Sequence, residues 1–343
     1  MMEKELPFVS VIILNYNGKQ HLKECFESLK RLNYPVKKCE LIMADNASSD
    51  DSVEYVRKNF PEIKVIKFNK NYGYSGGNNK GVKYTHSKSD YVVFLNNDTV
   101  VDENWLIELI KPLKDSTICG SASKTLNYYN KTIIDSAGGK ITPIGGCFAI
   151  GQFEKDVGQY NKKIYVGTLG HGSILIKKEI FNNFNGFDED YFIYQDDVDL
   201  LWNLWLAGYK LLYVPTSILY HKYGASGGDS RIGQFRIYYV TKNTLMNIVK
   251  HFEKSNIIKG FVITIFYSTF RIIMYSIKLR FESAFAIVRG YFTFLVELPK
   301  TLKKRKNIQK NRKISDKRLY ELGVIAPLKK CIKEEFRLIK MNK

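Results

Sequence analysis

The chain is poor in the residues that build covalent or metal scaffolds. Its five cysteines, Cys25, Cys39, Cys119, Cys147 and Cys331, are odd in number and scattered, with no Cys-x-x-Cys spacing. That argues against a zinc cluster or a disulfide framework and for reduced thiols in a cytoplasmic setting. The common phosphate fingerprints are missing too: there is no Gly-x-x-x-x-Gly-Lys-Ser/Thr, and the turn after the first strand holds only Gly18. Kinases and nicotinamide dehydrogenases thereby lose their main support. Residues 1–7 contain no extended apolar segment with a small-residue cleavage site, so no secretory signal is expected. Acids are scarce at the other end, where residues 300–343 hold sixteen Lys and Arg against four Asp and Glu. A tail of that kind implies a polyanionic neighbour, either an anionic lipid surface or a nucleic acid.

What the chain does have is length, 343 residues, enough to bury a large core. Apolar runs at 9–14, 40–44, 64–68 and 91–95 read as buried strands. Between them Leu22, Cys25, Phe26, Leu29 and Leu32 recur at helical spacing, and a second helix is expected near 51–60. The alternation predicts an α/β fold with a doubly wound, mostly parallel sheet. Ligands of such sheets bind beyond the carboxyl ends of the strands. The polar loops 15–18, 45–50, 69–79 and 96–99 fall there. Residues 120–225 are Gly- and aromatic-rich and read as a less regular, acceptor-side half.

From about Ile257 the character changes. Thr264, Ser268, Arg271, Tyr275, Lys278, Glu282 and Arg289 step by fours and threes, and most other positions there are apolar. One long helix lying in a membrane interface, followed by the basic tail, is the reading adopted. The expected division is a catalytic domain over 1–235 and a helical, amphipathic and basic region over 236–343. Removing residues after about 255 is then expected to spare donor binding.

Chemistry is suggested by acids in unusual company. Asp196, Asp197 and Asp199 crowd into four positions between aromatics, at the expected start of a helix. Three clustered carboxylates are costly unless they hold a cation or exchange protons. Asp45, at the end of the second strand, suits a contact to a nucleoside. The run 71–79, Asn-Tyr-Gly-Tyr-Ser-Gly-Gly-Asn-Asn, suits a cradle that lets backbone amides approach a phosphate or sugar. Asp98, beside Asn96 and Asn97 at a strand tip, suits a hard divalent ion shared with a diphosphate. His221 would be a second metal ligand.

In order along the chain, residues 9–18, 45–48, 71–79, 95–98, 186–189, 196–200 and 221–224 resemble the motifs of family 2 glycosyltransferases of the GT-A fold, nearest the rhamnosyltransferase-like branch. The resemblance implies inverting transfer of a sugar from a nucleotide diphosphate. It implies that Asn15, Asn17, Asp45, Asn46, Asn71, Gly73, Tyr74, Gly77, Asn78 and Asn97 line the donor site. Asp98 and His221 would bind the metal, Mn2+ or Mg2+. Asp197 would be the base that deprotonates the acceptor, with Asp196, Asp199 and Trp202 holding that acceptor. The sequence departs from the family pattern where Asn96 replaces the first aspartate of Asp-x-Asp, where Asp196 replaces Glu, and where Asn203 replaces an Arg.

The implied partners are a nucleotide-diphosphate sugar, a saccharide or lipid-linked saccharide acceptor, and an anionic membrane surface at the cytoplasmic face. A polyprenyl-phosphate sugar synthase is the enzymatic alternative. A basic nucleic-acid-binding protein is the alternative from another class, and the tail lacks the interleaved aromatics that base stacking requires. Nucleic acid is therefore not among the expected partners.

Overall fold

The computed structural model describes residues 6–222 and 233–341, so the end of the 221–224 motif lies outside the described residues. The chain opens with β1 (Val9–Asn15), α1 (Lys19–Lys30), β2 (Cys39–Asp45), α2 (Ser52–Asn59), β3 (Lys64–Lys67), α3 (Gly73–Val82) and β4 (Tyr91–Asn96). Then come β5 (Thr99–Val101), α4 (Trp105–Ile110), β6 (Ile118–Asn127), β7 (Ile134–Ser136), β8 (Gly139–Ile141), β9 (Cys147–Ala149), β10 (Ile164–Tyr165), β11 (Ser173–Lys177), α5 (Lys178–Asn183), α6 (Asp196–Leu206) and β12 (Lys210–His221). The helices α7 (Gln234–His251), α8 (Lys254–Ile277), α9 (Phe281–Lys310), α10 (Asp316–Glu321) and α11 (Leu328–Met341) complete it.

β1 is central because its side chains are apolar on both faces. Ile12 packs into one core with Phe94, Phe181 and Trp202, while Val11 and Ile13 pack into the other with Phe26 and Trp105. Such two-sided burial suits a parallel sheet covered by helices. The strand order is β10-β12-β6-β11-β4-β1-β2-β3, with β4, β1, β2 and β3 mutually parallel and β11 antiparallel to both β4 and β6. Register decides where the site lies. Asn15 stands opposite Asp45, Asp45 opposite Lys67, and Leu14 opposite Asn96, so the polar strand ends share one edge.

The region read as irregular is built on the long strands β6 and β12, which pair in parallel. The C-terminal region also differs from expectation. The polar stripe is split between two helices, because the chain turns at Leu279, whose φ is 55°, and α9 runs back along α7 and α8. On α8 the buried positions are Gly260, Thr264 and Ser268, and Tyr291 of α9 donates to Ser268 Oγ at 3.0 Å. The Thr264 and Ser268 end of the stripe is thus an inward seam, while Lys278, Glu282 and Arg289 are exposed. Phe266, Phe270, Ile273 and Ile277 look outward, as do Phe285, Phe292 and Val296 on α9. By length and composition α8 is one helix able to cross a membrane.

Nor is the far end an appendage. Leu206 O accepts from the amides of Lys313 and Ile314, Ile325 bridges to Ile141, and Leu319, Val324 and Ile325 lie in the main core. Removing residues after about 255, expected to spare donor binding, would also take Leu319, Val324 and Ile325 out of the main core.

Candidate active site

At the shared strand edge the polar residues divide into buried braces and exposed tips. Asn15 Nδ2 donates to Asp45 Oδ1 at 3.1 Å, and the Ser48 amide donates to the other Asp45 oxygen at 3.0 Å. Asp45 is fully buried by these contacts, so it props the 45–50 loop and offers no free surface to a nucleoside, contrary to expectation. Asn97 Nδ2 donates to Asn15 Oδ1 at 2.9 Å. Asn17 Oδ1 receives the Ser49 amide at 2.8 Å. Asn46 is a brace as well, donating to Asn71 Oδ1 at 2.8 Å and accepting from the Tyr72 amide at 2.9 Å. Tyr16, Asn17 and Asn71 are exposed at this edge, as are Ser49 and Lys67.

The run 71–79, expected to be a cradle, is mostly the start of α3. Its leading amides are already taken, since Tyr74 N and Ser75 N both donate to Phe192 O, at 2.7 and 3.2 Å. Its glycines serve packing instead. Gly73 has φ +71°, and an added Cβ would stand 2.3 Å from Phe192 O. At Gly77 a Cβ would stand 2.6 Å from Leu14 of β1. Asn78, buried, donates to Tyr74 O at 3.0 Å within the helix. Glycine here buys close approach of α3 to the sheet, not access for a phosphate.

Asp98 follows β4 and is almost wholly buried, and His221 ends β12. The strand pairing of β12 with β5, His221 opposite Thr99, brings them together, with His221 Nε2 3.4 Å from Asp98 Oδ1. His221 Nδ1 lies 2.8 Å from Asp135 Oδ2, and His171 Nδ1 lies 3.4 Å from both Asp135 oxygens. Burial opposes the imidazolium of His221, but hydrogen bonds to Asp135 and Asp98 outweigh it and raise the group to about 10. Burial likewise opposes ionisation of Asp135, yet the two histidines hold its carboxyl well below the ordinary range. An oxygen and an imidazole nitrogen suit Mn2+ or Mg2+ when substrate phosphates supply further ligands. Among the described residues no group of three His, Cys, Asp or Glu side chains is arranged around one ion, so the fit depends on that supply.

The other half of the site is the head of α6. Phe192, Tyr194 and Gln195 all have φ near +60°, at 62°, 64° and 64°. Such a run of left-handed non-glycine residues is held only where its surroundings fix it. Asn243 of α7 does so: its Nδ2 donates to the carbonyls of Tyr191, Ile193 and Tyr194 at 3.1, 3.0 and 2.7 Å. The helix then begins at Asp196, as the sequence indicated. Asp196 Oδ2 accepts from Ser75 Oγ at 3.0 Å. Burial first, and the Asp197 charge second, push the Asp196 carboxyl up to about 8. Burial also raises Asp197, against the opposing effects of the Val198 amide and the His171 charge.

Asp199 and Trp202, expected to hold an acceptor, are turned into the protein. Asp199 meets Lys250 at 2.5 Å, Tyr191 Oη at 3.1 Å and His251 at 3.3 Å. Trp202 is fully buried and stacks on His251, centroids 4.9 Å apart. Both fasten α6 to α7. Asp135, His171 and Asn243 escaped the sequence reading. Asp135 is a lone acid in a short strand, and only the proximity of His171 to the Asn96–Asp98 tip marks it.

The family model of glycosyl transferase family 2 matches residues 10–157. The poly-beta-1,6-N-acetyl-D-glucosamine synthase of Staphylococcus epidermidis is 26% identical over 212 residues, 61% of this chain and 48% of that protein. The chain thus spans about half the length of that relative. Rhamnosyltransferase WbbL of Escherichia coli K12 is 27% identical over 223 residues, 60% of this chain and 80% of WbbL. Among solved structures, the mannosyltransferase PcManGT from Pyrobaculum calidifontis, in complex with GDP-Man and Mn2+, superposes with a TM-score of 0.55 at 15% identity, over 90% of this chain and 87% of that one. Matched residues, GT-A architecture and ordered motifs make this chain similar to glycosyl transferase family 2 and, within it, to rhamnosyltransferases.

Proposed function

We propose that the protein transfers a sugar, with inversion, from a nucleotide diphosphate to a hydroxyl of a saccharide or lipid-linked saccharide in surface-glycan synthesis. The observation that carries this reading is a chain of contacts. Asp98 meets His221, His221 meets Asp135, Asp135 meets His171, and the His171 charge bears on Asp197. That chain supports one cleft in which a diphosphate and a base approach the same carbon from two sides. Asp98 and His221 would hold a divalent cation, which when bound offsets charge developing on the leaving diphosphate.

Asp197 would accept the acceptor's hydroxyl proton as its oxygen attacks the anomeric carbon. Burial strengthens it as a base, since a carboxylate raised above its ordinary range takes a proton more readily. Asp196, pushed to about 8, keeps its proton near neutral pH and leaves Asp197 the ionised member of the pair. Tyr16, Asn17, Asn71 and Asn97 are the residues of the donor edge best placed to meet a nucleotide, over a frame of Asn15, Asp45 and Asn46. The relative named as a rhamnosyltransferase and the one named as a polysaccharide synthase support a glycan acceptor. The exposed apolar hairpin of α8 and α9 and the basic tail support seating at the cytoplasmic face of a membrane.

The test is Asp197→Asn, assayed with a panel of nucleotide-sugars and lipid-linked acceptors. Transfer should fall about a thousandfold with nucleotide affinity retained, the middle of the range for a lost general base. Turnover near wild type would overturn the hydroxyl-acceptor reading. It would favour a phosphate acceptor, which arrives already ionised.

A further inference from the structure

We propose that α11 is a lipid-facing helix, which rests on an anionic membrane surface beside α8 and keeps α8 in the plane of that surface. The inference rests on the membrane-seated reading of the enzyme, and it adds a second seating element and the class of lipid it meets.

α11 reverses the usual arrangement of a surface helix, which turns its apolar stripe towards the core. Leu328, Ile332, Phe336 and Ile339 step by fours and threes along one stripe and are 38%, 48%, 61% and 48% exposed. No residue of the helix is buried, and of its apolar side chains only Cys331 and Leu338 are half-buried. The fastening is polar instead. Arg337 donates to Gln152 O at 2.7 Å, lies 3.6 Å from Glu154 and bonds Glu334 at 2.8 Å.

Charge says what the stripe meets. At 100° per residue, Lys329, Lys333 and Lys340 fall within about 60° of Phe336, and all three are exposed. Lysine is depleted from protein interfaces. Bordering an apolar stripe, it suits acyl chains beneath anionic headgroups.

The stripe also continues a larger face. Tyr267 Oη donates to Glu335 Oε1 at 3.3 Å, which ties α11 to the middle of α8 (Lys254–Ile277). The inner side of α8 is occupied by protein, since a Cβ added at Gly260 would stand 3.0 Å from Pro143 O. Its outer side exposes Ile265, Phe266, Phe270 and Ile273. Were α8 to cross a bilayer, as its length and composition permit, Glu335 and its neighbouring lysines would be drawn towards the bilayer centre. Charged side chains are costly there. Lying flat, α8 shares one depth with α11 and leaves the lysines among headgroups.

The test uses the full chain with vesicles of phosphatidylcholine, alone or mixed with phosphatidylglycerol, and reads binding by flotation. Replacing Lys329, Lys333 and Lys340 together by Gln should weaken binding to the anionic vesicles about a hundredfold, roughly fivefold per lysine, and leave binding to the neutral ones unchanged. Ile332→Glu with Phe336→Glu should weaken both. These positions are exposed, so lipid-free thermal midpoints should stay at wild type; a fall would show the stripe covered by protein and overturn the proposal. Undiminished vesicle binding in the Ile332 and Phe336 pair overturns the role of α11 and leaves the hairpin reading standing. A lipid-free dimer in sedimentation that the same pair dissolves assigns the stripe to a second copy of the chain, and also overturns it.

Depth is read separately with Phe336→Trp and Phe266→Trp, against wild-type emission, using lipids brominated near the headgroup or near the chain end. Both should be quenched best by the shallow bromine. Quenching at position 266 chiefly by the deep bromine puts α8 across the bilayer and overturns the in-plane placement. Failure of the wild-type chain to bind either vesicle falls on membrane seating itself, and overturns both.

Discussion

Two sets of carboxylates border the proposed cleft, and their company differs. Past the end of β4 and within β7, Asp98 and Asp135 lie against imidazoles, and the histidines favour the ionised form of Asp135. At the head of α6, Asp196 and Asp197 lie against each other, a serine and backbone amides, and burial raises both. The same functional group is thus prepared on one side to hold a cation and on the other to hold a proton. Neighbours decide which, since burial alone pushes every carboxylate the same way.

The comparison can be broken most decisively at α6. The thousandfold loss expected for Asp197→Asn should have no counterpart in Asp199→Asn, two residues along, where steady-state kinetics should show a change in stability with catalysis retained in the folded fraction. Comparable catalytic losses in both would erase the distinction between base and brace. Next in size is Lys250→Met. It leaves the Asp199 carboxylate buried without its ammonium, which costs about 3–5 kcal/mol when one partner of a buried pair is removed. Denaturant unfolding measures it, and a loss below about 1 kcal/mol would mean the pair is not held as described.

A third prediction concerns pH. The folded chain keeps the Asp196 proton up to about 8, whereas the unfolded chain releases it in the ordinary carboxylate range. Stability from this group is therefore full below about pH 4 and is lost as pH rises towards 8. The thermal midpoint of Asp196→Asn should match or trail wild type at pH 4 and gain on it by a few degrees at pH 8, a shift of order 1 kcal/mol. A constant difference across that range would sink the assignment. The smallest effect on catalysis is expected from Phe266→Glu with Phe270→Glu on the outward face of α8. Recovery with anionic vesicles in flotation should drop several-fold while turnover of a water-soluble acceptor is retained.

Much of the donor half was legible because its strands are nearly pure apolar runs, β1 above all. β6 was not. Its buried positions include Gly120, Ser121, Ser123, Lys124 and Thr125, whose polarity hides a core strand. Their groups are satisfied inside, as when the Trp105 indole donates to Ser123 Oγ at 2.8 Å. At the site, Asp197 could be singled out, but its neighbours could not be sorted. Successive helical residues are about 100° apart, so Asp199 points about 200° away from Asp197, towards α7. Closeness in sequence suggested a shared task, and helical geometry divides it. The inward packing of Thr264 and Ser268 was not legible for a related reason: periodicity identifies two faces without saying which one meets protein. Asp135 and His171 carried no pattern, since each becomes meaningful only when the sheet joins distant strands.

Asn243 gives the two halves a common fastening. Its carboxamide takes the carbonyls on either side of Phe192, and the Phe192 carbonyl in turn seats the first amides of α3. The aspartate proposed as the base and the helix proposed to lie behind the donor edge are therefore tied at one knot, on a helix that also carries the outward hairpin. A pull on any of the three strands of that knot reaches the other two without crossing the cleft.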